Sequence, residues 1–136
     1  MAGPTRRYAI DAPSLLRIVA DGAPIGQDVQ LVAPASIRSD ALTTLLRRVQ
    51  AGELTDTEAR DLHTRMTELK IRVLGDRVSR WTAFRLARDN GWPTLSAAEY
   101  LAVAKLQADA LVTVDPELTA QARGIVPVEP VDALSG

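Results

Sequence analysis

This chain of 136 residues has no cysteine, one histidine, two tryptophans, two tyrosines and one phenylalanine. Without cysteine it can form no disulfide, thiolate zinc site, iron–sulfur cluster or catalytic thiol. One histidine, His63, excludes multi-histidine metal centres. Any bound metal must then be held mainly by oxygen, which selects a hard ion such as Mg²⁺ or Mn²⁺. No apolar run approaches the roughly 18 residues that a membrane span needs, so no membrane partner and a cytoplasmic location are expected. Charge of one sign is also lacking: 17 acids face 16 bases, a net charge of -1. That balance excludes a protein that coats nucleic acid by bulk attraction, while leaving local basic patches open. At 46% hydrophobic residues a packed core is expected, and the length suits one domain over residues 1–136.

Apolar runs alternate with helical periodicity along the chain. Tyr8-Ala9-Ile10, Val29 to Val32, Ile71 to Leu74, Ala110 to Val114 and Ile125 to Val128 read as strands. The last is an edge strand because of Pro127. Helices are expected from Pro13, from Pro34 to about Ala51, from Thr55 to Leu69, after Asp76, from Ser96 and from Pro116. Thr55 with Glu58, and Ser96 with Glu99, have capping-box spacing. Continuously apolar strands separated by helices imply a sheet covered on both faces. The expected class is α/β: a three-layer α/β/α open, mostly parallel sheet, with a helical hairpin between the second and third strands.

Two strands stop at an acid, Asp11 after the first and Asp115 after the fourth. In open parallel sheets, ligands bind beyond the carboxyl ends of the strands. If the two strands are neighbours, their carboxylates converge and call for a cation or a proton between them. The bland alternative is helix capping, for which aspartate is strongly favoured; Asp115-Pro116 is an apt start for a helix.

Tyr8-Ala9-Ile10-Asp11, Pro34 through Asp40-Ala41-Leu42, Ala97 through Ala102 and Val112-Thr113-Val114-Asp115 occur in the order of the PIN-domain motifs. In them the chain resembles VapC-type toxins of bacterial toxin–antitoxin pairs, over nearly its whole length. The resemblance implies a PIN-like, Rossmann-like fold and an Mg²⁺- or Mn²⁺-dependent ribonuclease. It also implies RNA as substrate, a cognate antitoxin as partner, and a homodimer. Asp11, Asp40 and Asp115 match three family acids and would hold the metal, Asp40 standing where the family usually has glutamate. A further family acid falls at Ala97, which cannot ligate. Glu99, two positions on, is the remaining catalytic candidate beside its reading as the capping partner of Ser96. Two functions follow: a metal-dependent endoribonuclease with a site compromised at Ala97, or a catalytically silent PIN-like protein that acts as a binding or regulatory partner.

Arg72, Arg77, Arg80, Arg85 and Arg88 form a local basic segment. Arg72, Arg77 and Arg80 are candidate contacts to RNA phosphates, against the plainer reading of a solvated helix face. Trp81 and Phe84 read as core, so base stacking is not expected. Of the apolar residues in the hairpin, Leu45, Leu46, Val49, Leu54, Leu62 and Met66, half should pack on the core and the rest should face a partner.

Overall fold

A computed structural model describes residues 5–136; residues 1–4, the start of the expected domain, lie outside it. The elements run β1 (Arg6–Ile10), α1 (Ala12–Asp21), β2 (Val29–Pro34), α2 (Ile37–Gln50), α3 (Asp56–Glu68), β3 (Ile71–Leu74), α4 (Arg77–Asn90), α5 (Ser96–Gln107), β4 (Ala110–Val112), α6 (Pro116–Ala122) and β5 (Val128–Glu129), and a 3-10 turn, Val131–Ser135, closes the chain. All four strand pairings are parallel, in the order β3-β2-β1-β4-β5. This is the expected three-layer α/β/α sheet, with α2 and α3 as the hairpin. Among the described residues no helix is long and apolar enough to cross a membrane.

The chain leaves β1 for β2 on one side, and β4 lies on the other side of β1. The carboxyl ends of β1 and β4 therefore form the switch point at which doubly wound sheets bind ligands. The central strands carry the core: Ala9, Ile10, Leu111 and Val112 are fully buried, and Leu15, Leu101 and Ile37 close over them from the helices.

Several elements depart from the sequence reading. Pro34 does not open a helix but ends β2, in register with Leu74. Proline, which has no N–H, is tolerated at a ladder's end, and α2 begins three residues later. The last strand shrinks to Val128–Glu129, which does lie at the sheet edge. Ser96 caps nothing: it is the first residue of α5, and the preceding Leu95 makes no side-chain cap. The Thr55–Glu58 capping box is present in full.

Helix α4 departs most. It packs on α5 through small residues, Ala83 and Ala87 against Ala98 and Ala102. Leu86 packs beside them, but Trp81 and Phe84 turn away and are 55% and 42% exposed and not core. The hairpin, by contrast, has less apolar surface to spare than its composition suggests. Leu45 and Met66 are buried, Val49, Leu54 and Leu62 half-buried, and only Leu46 of the six is open to solvent.

Candidate active site

The end of β1 delivers Asp11 into a buried position because Ile10 pairs with Val112 of β4. One residue further on, Thr113 Oγ1 donates to Asp11 Oδ2 at 2.6 Å. The other carboxylate oxygen accepts from the Ser14 amide at 3.1 Å, which makes Asp11 the N-cap of α1. An ionised carboxylate has about four acceptor positions, and these two bonds leave lone pairs on both oxygens. Capping and ligand binding are therefore compatible uses of one side chain.

Asp115 likewise caps α6, its Oδ1 accepting from the Glu117 amide at 2.9 Å. Thr113 Oγ1 also accepts from the Asp115 amide at 3.0 Å, so one hydroxyl ties both acids to the β4 edge. Asp40 comes from the first turn of α2. The Tyr100 hydroxyl on α5 donates to its Oδ2 at 2.6 Å. Burial, followed by the bonded and nearby carboxylates of Asp40, Asp11 and Glu99, pushes the Tyr100 hydroxyl pKa well above its ordinary value. Tyr100 thus stays a proton donor, and it fixes the direction in which Asp40 points.

Asp11, Asp40 and Asp115 line one open cavity of about 510 Å³ beyond the ends of β1 and β4. Ala97 stands in its wall, flanked along α5 by Ser96 and Tyr100. Three more charged or aromatic residues that the sequence did not single out share the cavity: Arg47, Glu117 and Trp92. Glu117 sits two residues past a recognised acid, at the second position of α6, and that spacing was available in the sequence. Arg47 and Tyr100 enter only through the packing of α2 and α5 and left no local signal.

The remaining candidates lie elsewhere. Glu99 is outside the acid cavity; its Oε2 accepts from Ser36 Oγ at 3.1 Å. There it lines a separate hollow of about 100 Å³ with Gly75, Ser79 and Arg80. Arg72 and Arg77 are exposed, on β3 at the far sheet edge and on α4, and neither reaches the acids. Arg80 faces the Glu99 hollow. Asp76 is the N-cap of α4, and hydrogen bonds from the Ser79 side chain and amide hold its carboxyl below the usual range.

The carboxylates meet across the cavity and do not form a cage: among the described residues no group of three or more His, Cys, Asp or Glu side chains is placed to hold one ion. Magnesium is commonly held by one or two carboxylates, with water and substrate phosphate completing its shell. The all-oxygen donor set fits an ion seated in that way.

Ser14 shows how tightly this corner is built. Its side chain is fully buried under Asp11, and its Oγ has no hydrogen-bond partner among the described residues. Ser14→Ala should remove an unpaired buried hydroxyl and raise stability by about 1 kcal/mol. Urea denaturation would read this as a higher midpoint at unchanged slope.

Fold and cavity together define an open parallel α/β protein with an acidic cleft at the switch point of its sheet. No protein-family model matches the chain, and neither does any curated protein. The crystal structure of PAE2754 from Pyrobaculum aerophilum is similar to it, with a TM-score of 0.69 and 23% identity over 96% of this chain and 94% of that one. A likeness at that identity establishes the shared fold.

Proposed function

We propose that this chain is a divalent-metal-dependent ribonuclease of the PIN type, with Asp11, Asp40 and Asp115 as the residues that hold Mg²⁺ or Mn²⁺. The observation that carries this reading is the delivery of three carboxylates, from the ends of β1 and β4 and from α2, into one cavity at the switch point. The reading brings with it, from the VapC resemblance, a cytoplasmic setting, a homodimer and an antitoxin partner.

Each residue of the cleft has a distinct task. Asp11 is rigid, held by Ser14 and Thr113, so it sets the origin of the site. Asp40 is aimed by Tyr100, whose hydrogen bond takes only its Oδ2, and it lines the cavity. Asp115 has Oδ2 free of the capping bond. Arg47 supplies the cation that a phosphate entering between these acids requires. The ion, when bound, supplies Lewis acidity for phosphodiester hydrolysis.

Ala97 favours a second reading, a silent PIN-like protein that binds a partner without cleaving RNA. Titration calorimetry with Mn²⁺ separates the two. The wild type should bind at sub-millimolar metal, and Asp40→Asn should weaken binding by about tenfold or more. Absence of binding at millimolar Mn²⁺ would overturn the ribonuclease reading and leave the silent one.

A further inference from the structure

Glu99 lies outside the acid cleft, yet it is bonded to the start of the helix that carries Asp40. A serine at the N-cap ordinarily accepts from an amide of the first turn. Ser36, at the N-cap of α2, makes no such bond; its Oγ donates instead to Glu99 Oε2 at 3.1 Å. One turn on, the Asp40 amide donates to the Ser36 carbonyl at 2.9 Å. The Asp40 carboxylate in turn accepts from Tyr100, the neighbour of Glu99 on α5. The first turns of α2 and α5 are thus joined at two points, Ser36 to Glu99 and Asp40 to Tyr100. The other helices start differently: α1, α3, α4 and α6 each begin on a capping side chain, that of Asp11, Thr55, Asp76 or Asp115. Helices α2 and α5 have none, and they are the two that Glu99 connects. Its carboxylate has no ion-pair partner among the described residues, so its charge is left to the open N-terminal turns on either side.

We propose that Glu99 is a positioning residue of the acid cleft: through Ser36 it fixes the first turn of α2, and with it the direction of the Asp40 carboxylate. An uncapped helix end frays, and the Tyr100 bond alone would leave the start of α2 free to move under Asp40. The Glu99 bond, one turn earlier, removes that freedom. A binding group holds its aim only when the hydrogen bonds behind it are made. Glu99 does not line the cavity, so it acts on Asp40 through the α2 backbone and does not itself ligate. Its benefit to a bound ion rests on the ribonuclease reading, in which Asp40 is a ligand; the coupling between the two bonds does not.

Two measurements test it. In EDTA, urea denaturation of the wild type, Glu99→Ala, Tyr100→Phe and the double variant reads the coupling between the two bonds. Alanine is the best helix former, so α5 itself survives the first change. Glu99→Ala should shrink the effect of Tyr100→Phe on the unfolding constant by about threefold or more. Ser36→Ala in place of Glu99→Ala should give the same coupling, and additive effects would overturn the proposal. In titration calorimetry with Mn²⁺, Glu99→Ala should weaken binding by about tenfold. Glu99→Gln, whose amide oxygen still accepts from Ser36, should bind nearly as the wild type does. Added to Asp40→Asn, Glu99→Ala should cost no further affinity. Unchanged affinity in Glu99→Ala, or a further loss in the double variant, would also overturn the proposal. If the wild type binds no Mn²⁺, the ribonuclease reading falls, and the coupling in EDTA alone decides whether Glu99 positions Asp40.

Discussion

Asp11→Ala should cost about 2–4 kcal/mol of stability, since it removes an N-cap and leaves the O–H of a buried hydroxyl without its acceptor in one step. The cap is the bond from the Ser14 amide, and the hydroxyl is that of Thr113, itself 7% exposed. Set against a total of about 5–15 kcal/mol for a domain of this kind, the loss is a large fraction. Asp11→Asn is the informative contrast. Asparagine caps a helix about as well as aspartate, and its amide oxygen can still accept one of the two bonds. Its stability deficit should be about 1 kcal/mol, while its negative charge and one acceptor oxygen are gone. If Asp11 also holds a metal, RNA cleavage in Asp11→Asn should fall by about 100-fold or more, out of proportion to the lost stability. Denaturation curves and initial rates on the same preparations give the two numbers. Equal, modest losses in both would reduce Asp11 to a capping residue.

Ala97→Asp has the opposite sign. Ala97 faces the cavity that Asp11, Asp40 and Asp115 line, and an aspartate there adds a fourth carboxylate across from the others. Without metal, the added negative charge should lower the melting temperature through repulsion. With Mn²⁺ that penalty should reverse, because a ligand bound only to the folded state stabilises it by mass action. The Mn²⁺-induced rise in Tm should therefore be larger in Ala97→Asp than in the wild type. Cleavage should increase by about 10- to 100-fold if the missing acid limits the reaction. A variant with the same Tm response and the same rate as the wild type would show that position 97 plays no part in metal binding.

The parts of the fold written in local signals were readable from the sequence. Apolar runs that stop at Asp11 and near Asp115 marked strand ends, and β1 and β4 are neighbours, so the acids do share an edge. Failures came where a distant element overrode a local pattern. Ser96 and Glu99 have the spacing of a capping box, yet Glu99 is taken by Ser36, 63 residues away in sequence. Trp81 and Phe84 have the size of core residues, but α4 meets α5 along Ala83 and Ala87. Ala83 and Ala87, four apart, lie on one face of α4, and it is that face, not the aromatic one, that is buried against α5. Asp40 was placed in the site by resemblance alone; what orients it, the Tyr100 hydroxyl, depends on the seating of α5 against α2. The arginines of α4, candidate phosphate contacts beside the plainer reading of a solvated helix face, do not line the acid cleft, and Arg47 of α2 does.

On the proposed reading the cleft hydrolyses RNA with a metal held by its carboxylates. The most direct measurement is cleavage of single-stranded RNA by purified protein in Mn²⁺, run beside Asp115→Asn, which keeps the α6 cap. The wild type should hydrolyse the RNA, EDTA should abolish that activity, and Asp115→Asn should lose it while its thermal unfolding is unchanged. Cleavage that persists in Asp115→Asn, or that proceeds in EDTA, would contradict that reading.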